Sequence, residues 1–450
     1  MKFENTDFSI EATEKNDRLV LMKVSKRSGI KNFTDRYTLI DQQGNKTYHE
    51  YTHEIISEIF KRLEYGISYS SALIFSDVSE LNANLLCTNL NIDDLLQKSE
   101  TEHKYTSTGI KFWRHQKAMN TFRNGIGYSI ISTHISPEGR CNLKCPYCSV
   151  VNRKTKNSIL LDVIKDYILK LKSRGLKAVI LTGGGEPTLY ENFNKLVEFI
   201  LGENLQIALI TNGTTFSSGR IDLNLLKYFT WIRISINIFE DWEDKIWIPK
   251  EKLGENTILG FSMICTAEHD ITKKVIYSDI DLFKKISALA DRLGAKYIRL
   301  LPNCLLSQKE LMKEHNAISK LVKNINDPYI FHQKKIHRVP KSEICHLSYF
   351  RPYLSEEIFS ETGVPGTVFP CDSLVLNDSY FNQKYALCAP HDILHYLDRK
   401  FIHHFNPQKD CTNCVFTDTI NMLDDFRNSF DSFDRFIETK DMALSHENFV

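Results

Sequence analysis

Between Tyr128 and Pro302 the chain alternates two hydrophobic patterns. Apolar runs of five to seven residues recur at Ile130 to His134, Lys177 to Thr182, Leu205 to Thr211, Trp231 to Asn237, Gly260 to Thr266 and Tyr297 to Leu301. Runs this short and this continuous predict strands buried on both faces. Most are separated by stretches with helical spacing. Leu160, Ile164, Tyr167 and Leu171 predict one helix, with Gly175 at its C-terminal cap. Phe193, Leu196, Val197 and Ile200 predict a second ending at Gly202, and Leu282, Ile286, Leu289 and Leu293 a third closed by Gly294. Repeated strand–helix units force a parallel sheet with right-handed crossovers, and six strands are counted.

The flanks follow other patterns. Residues 1–125 form a separate α+β region, in which Arg18 to Ser25 and Arg36 to Ile40 are predicted strands. Asp41 to Asn45 is the turn of a hairpin, and Ile55, Ile56, Ile59 and Leu63 mark a helix. The basic, aromatic stretch Lys111 to Arg123 suits either a phosphate backbone or a helix with Trp113 and Phe122 buried. Beyond Pro302, Ser307 and Glu310 form a capping box for a helix carrying Leu311, Ile318 and Leu321. A cysteine-rich part follows. The domains are therefore read as 1–125, 126–305 and 306–450.

Composition excludes several classes. With 57 basic and 56 acidic residues in 450, no net field gathers nucleic acid or an anionic membrane. Neither a signal peptide nor a membrane-spanning run is present, so a cytoplasmic protein is expected. Eleven cysteines in such a chain are metal ligands or buried thiols rather than a disulfide framework. Cys87, Cys265 and Cys304 are read as small buried hydrophobes.

Chemistry concentrates at two strand ends. Cys141-Asn-Leu-Lys-Cys145-Pro-Tyr-Cys148 follows the first strand, and its three thiolates suit three irons of a 4Fe-4S cube, leaving the fourth open. An open coordination position marks a catalytic metal site. Three cysteines also suit a zinc knuckle. Thr182-Gly-Gly-Gly-Glu-Pro-Thr188 ends the second strand, its glycines letting backbone polar groups approach a ligand. Both motifs resemble those of the radical S-adenosylmethionine (SAM) superfamily, with Tyr147 in the aromatic place of the cysteine loop. That resemblance implies a partial (βα)6 TIM-type barrel and a 4Fe-4S cluster on Cys141, Cys145 and Cys148. It also implies reductive cleavage of SAM to a 5'-deoxyadenosyl radical that abstracts a substrate hydrogen, fed by a flavodoxin- or ferredoxin-like electron donor. Gly184, Gly185, Glu186 and Pro187 would bind the SAM amino group. Thr211, Asn212, Ser235 and Asn237 would reach its carboxylate and ribose, or serve only as strand-end turn residues. Arg299 meets a carboxylate or is structural.

The cysteine-rich part resembles the auxiliary-cluster domain called Twitch, a relative of SPASM. Cys371, Cys388, Cys411 and Cys414 would hold a second 4Fe-4S cluster, with Cys345 as a replacement ligand or a substrate-site cysteine. Gln383 stands where that family has a glycine. Four thiolates equally suit zinc. The resemblance implies peptide or protein modification first; a nucleoside, nucleotide or sugar substrate is the runner-up, and its only support is the basic, aromatic stretch Lys111 to Arg123. Under the first, the N-terminal region would be a small winged-helix clasp for a leader peptide. A reading of another class is a non-catalytic zinc protein built for interaction.

Overall fold

A computed structural model describes residues 100–123, 125–151, 156–236, 248–265, 280–335, 338–375, 383–398, 405–428 and 444–450, with the backbone of five strands before residue 48. Strands β1 (Lys2–Glu4), β2 (Phe8–Lys15) and β3 (Arg18–Lys26) make an antiparallel sheet. Strands β4 (Leu39–Ile40) and β5 (Lys46–Thr47) pair antiparallel, as the predicted hairpin requires. The helix expected at Ile55 to Leu63, Cys87 and Asn237 lie outside the described residues.

The six expected parallel strands are present in sequence order: β6 (Ser132–Ile135), β7 (Ala178–Leu181), β8 (Gln206–Thr211), β9 (Trp231–Ser235), β10 (Ile258–Ile264) and β11 (Ile298–Leu301). The sheet then continues at both edges. Strand β12 (Ile330–His332) adds parallel to β11, and β13 (Tyr353–Ile358) adds parallel to β6, followed by antiparallel β14 (Pro365–Phe369). Strand β13 escaped the hydrophobic reading because Glu356 and Glu357 interrupt its apolar run, yet both are buried.

Among the helices are α1 (Glu100–Tyr105), α2 (Gln116–Arg123), α3 (Leu161–Lys172), α4 (Phe193–Gly202), α5 (Ile280–Leu293), α6 (Gln308–Ile325), α7 (Ile393–Leu397) and α8 (Thr417–Asn428). Ile164, Tyr167 and Leu171 are buried as expected, but Leu160 is 68% exposed because it precedes the first turn of α3. The capping box of Ser307 and Glu310 forms at α6.

Strand alternation gives the sheet two different faces. Val179 and Leu181 of β7 pack into the large core that includes the helices, whereas Ala178 and Ile180 join Ala208, Trp231 and Phe449 in a smaller one. The C-terminal segment supplies Phe449, whose ring meets Trp231 edge-on at 5.5 Å. The basic stretch after α1 is turned into the protein. Lys111 is buried and donates to the His446 carbonyl at 3.3 Å, while Arg123 lies 3.5 Å over the Phe426 ring. Trp113 and Phe122 are buried too, so this segment is a packing element. Among the described residues no helix is long and apolar enough to cross a membrane.

One glycine is fixed by packing. A Cβ at Gly260 would overlap the Tyr297 ring, which stacks on Tyr105 at 4.7 Å and accepts a 3.0 Å hydrogen bond from Arg233 Nε. Gly260→Ala is expected to cost about 3 kcal/mol by overpacking. Thermal unfolding of the variant measures it, and an unchanged midpoint would show that the ring has room to move.

Candidate active site

The cysteine loop leaves the C-terminal end of β6 through Ser136-Pro-Glu-Gly-Arg140, and the glycine loop leaves β7 beside it. The two are laced by backbone hydrogen bonds. Gly184 N donates to Ser136 Oγ at 2.8 Å, Gly185 N to the Glu138 carbonyl at 3.0 Å, and Glu186 N to the Arg140 carbonyl at 2.9 Å. Such close approach excludes side chains. A Cβ at Gly185 would overlap the Arg140 carbonyl oxygen and stand 2.5 Å from Gly139 C, and one at Gly183 would stand 2.9 Å from Gly185 C.

Two buried carboxylates shape these loops. Glu138 accepts from Arg140 N, Nε and Nη2 at 2.9, 2.9 and 2.7 Å, and from Ser158 Oγ at 2.7 Å. Burial alone would raise its carboxyl, but these bonds more than offset that and hold it below its ordinary range. Glu186 Oε1 accepts from Thr188 N at 3.1 Å, Thr188 Oγ1 at 2.6 Å and Thr211 Oγ1 at 2.5 Å, while Oε2 accepts from Asn212 N at 2.8 Å. Burial still pushes the Glu186 carboxyl above its usual value, against the pull of those donors. Pro187 starts the short 3-10 turn that brings Thr188 under the carboxylate.

Thr211 and Asn212 therefore act as braces at the end of β8. Asn212 Nδ2 also donates to Asn142 Oδ1 at 3.0 Å and reaches Cys141 Sγ at 3.9 Å, which ties β8 to the cysteine loop. Tyr147 is buried, and its phenol is pushed up by burial and by its contacts with Cys145. Ser136, Glu138, Arg140 and Thr188 were not among the expected site residues. A Ser-x-Glu-x-Arg segment carries no motif signal, and its role emerges only when β6 and β7 pair.

Both loops open on one cavity of about 460 Å³. Cys141, Cys145, Cys148, Tyr147, Gly185 and Glu186 line it, as do Thr211, Asn212 and Ser235. Arg299, Cys304, Lys335 and Asp372 line it as well. Cys304, expected to be a buried hydrophobe, is exposed to this cavity. Burial raises the Cys141 thiol, and Glu186, Cys148 and Cys145 raise it further, so the three sulfurs share one electrostatic neighbourhood. A bound cation reverses that logic and favours the thiolates. This all-sulfur donor set beside an open cavity fits a cube with one free iron.

Residues 135–250 match the family described as the Radical SAM superfamily. The chain carries a radical SAM domain. Both motifs lie within the matched span. The S-adenosylmethionine-dependent nucleotide dehydratase of Selenomonas ruminantium is 32% identical over 108 residues, 24% of this chain and 38% of the relative. The 7-carboxy-7-deazaguanine synthase of Aquifex aeolicus is 33% identical over 96 residues, 20% of this chain and 40% of the relative. The chain thus spans about two fifths of the length of these two relatives. Among solved structures, Streptococcus suis SuiB bound to precursor peptide SuiA aligns over 83% of this chain and 84% of its own, with 13% identity and a TM-score of 0.40.

A second cavity of about 350 Å³ lies beyond the radical SAM domain's motifs and is lined by Cys345, Cys371, Cys411 and Cys414, with Cys304 at its edge toward the first. Burial pushes up the Cys371 thiol, followed by Cys345, Asp372, Cys414 and Cys411. Burial likewise raises Cys345, reinforced by Cys414 and Cys411. Cys388 is not in this group. Its backbone bridges Val368, and its thiol is raised by burial and then by Asp392, while it also acts on Tyr167 of α3. Three of the four expected ligands, Cys371, Cys411 and Cys414, thus line this cavity together with Cys345. Among the described residues, no three His, Cys, Asp or Glu side chains converge on a single ion. His391 and His395 are exposed beside Asp392, and His403 and His404 lie outside the described residues.

Proposed function

We propose that this protein is a radical SAM enzyme whose active site is the cavity shared by the cysteine and glycine loops. The observation that carries the reading is their backbone lacing, which places three thiols and a Gly-Gly-Glu-Pro loop on one 460 Å³ space at the strands' C-terminal ends. Cys141, Cys145 and Cys148 would hold the SAM-binding cluster, and Gly184 to Pro187 the amino group of SAM. When bound, cluster and SAM together supply a carbon radical able to abstract hydrogen. The chain's own contribution is to fix the loops through Glu138, Glu186 and Asn212, to offer Ser235 and Ser262 from the cavity wall, and to keep water out.

Cys345, Cys371, Cys411 and Cys414 are the residues we assign to a second cluster, in a Twitch-like C-terminal part. For the substrate we place an anionic small molecule, a nucleotide above all, ahead of the peptide that the auxiliary domain suggests. Inward-facing Arg299 and Lys335 favour it, and the Selenomonas relative is named for action on nucleotides.

Anaerobic reconstitution with iron and sulfide, followed by SAM and dithionite, tests the reading. Expected are about eight irons per chain and 5'-deoxyadenosine as product. Zinc in both sites with intact SAM would return the protein to the interaction class.

A further inference from the structure

We propose that Arg299 and Lys335 form an anion-binding subsite in the wall of the active-site cavity, and that it takes a phosphate or carboxylate group of the substrate. Its role rests on the enzyme reading above, but its existence is tested separately.

Arg299 is set by the sheet. It pairs in register with Ser262 of β10, which pairs with Ser235 of β9, so the three form one row at one height of the wall. All three line the cavity that holds the cysteine loop. Arg299 stands on β11, four strands along the sheet from β7 and its glycine loop. Lys335 follows β12, the next strand, and lines the same cavity.

The local charge is unbalanced. Arg233 acts on Arg299, Arg299 and Arg351 act on Lys335, and the carboxylates that act on Arg299 are Glu102 and Asp372. Asp372 is already held by Arg351 at 3.4 Å and stands 3.7 Å from His134. Burial and then Arg351 push His134 down to about 3, so it is neutral and adds no compensating chemistry. Arg233 spends its donors on neutral oxygens, Tyr297 Oη and the Tyr105 carbonyl, both at 3.0 Å.

Arg299 itself has donors to spare. Its Nε is buried without a hydrogen-bond partner among the described residues. A guanidinium with an orphaned buried donor is unusual, since such groups are nearly always satisfied. Burial and then Arg233 pull Arg299 down to about 9, and burial and then Arg299 pull Lys335 down to about 8. Two cations beside one open cavity bind an anion more readily than either alone, and a guanidinium grips phosphate or carboxylate through paired donors.

The test uses the full-length, cluster-loaded protein under anaerobic conditions, with calorimetric titration of GTP, pyrophosphate and citrate. Saturable binding of at least one probe is expected, weakening as salt rises from about 0.05 to about 0.5 M. Arg299→Gln and Lys335→Gln should each weaken it about tenfold or more while unfolding at the wild-type temperature or above, since each relieves repulsion. Binding of GTP and pyrophosphate but not citrate assigns a phosphate, and the converse a carboxylate. Absence of saturable binding, or unchanged affinity in both variants, overturns the subsite. Wild-type SAM cleavage is measured in parallel. Cleavage without anion binding sinks the subsite alone, whereas anion binding without cleavage supports it and sinks the enzyme reading.

Discussion

Gly185→Ala is expected to remove SAM cleavage almost as completely as Cys145→Ala, although it touches no sulfur. The added methyl overlaps the Arg140 carbonyl oxygen and stands within 2.6 Å of Arg140 C and 2.5 Å of Gly139 C, closer than real Cβ contacts come. Those atoms are backbone, so no rotamer change relieves the clash. Either the glycine loop retreats, breaking the bonds from Gly185 N and Glu186 N, or residues 139 to 141 are driven outward with Cys141. Displacements near 1 Å cost about 100-fold in rate when reacting groups must be aligned. We therefore expect 5'-deoxyadenosine formation to fall at least ~100-fold, with iron at the second site retained. Gly202→Ala is the control, because nothing lies within 4 Å of its added methyl. Wild-type turnover in Gly185→Ala would mean that the two loops do not hold the cofactor together.

Cys345→Ser and Cys388→Ser separate the two versions of the second site. Cys345 shares a cavity with Cys371, Cys411 and Cys414, whereas Cys388 lies toward α3. Cys345→Ser should lose about four irons per chain, leaving those of the first cluster, and Cys388→Ser should retain all of them. Iron analysis, with the electron paramagnetic resonance of the reduced protein, reads the difference. The reverse pattern would restore the Cys371 and Cys388 hairpin as the ligand pair. Burial raises the Cys411 thiol to about 12, so without metal it stays protonated, and a cluster bound there would release its proton.

How far the sequence reached depends on the range of each signal. The cysteine loop, the glycine loop and strands β6 to β11 were legible because each is local: a motif, or an apolar run between helical stretches. Strand β13 was not, since its two buried glutamates look like surface until β6 and β14 flank the segment. The choice between Cys345 and Cys388 was closed to spacing arguments, because successive residues of a strand point to opposite faces and only the pairing with Val368 settles which way Cys388 looks. Thr211 and Asn212 were expected to reach a ligand, but the partner both bond in the structure is Glu186. That distinction needs β7 beside β8. The plug made by Phe449 against Trp231 had no sequence signal at all.

The placement of β13 beside β6 carries a consequence for biosynthesis. Strand β6 finds β7 after a short crossover, but its other edge waits for a partner about two hundred residues downstream, as the contact of Thr133 Oγ1 with the Pro352 carbonyl shows. A ribosome has made most of the chain before that edge is covered. Until then the strand that launches the cysteine loop presents unpaired backbone groups, the kind of edge that recruits other chains. Completion of the sheet is thus a late event in synthesis, and a chain cut after β11 would keep Cys141, Cys145 and Cys148 while lacking the strand that covers the free edge of β6.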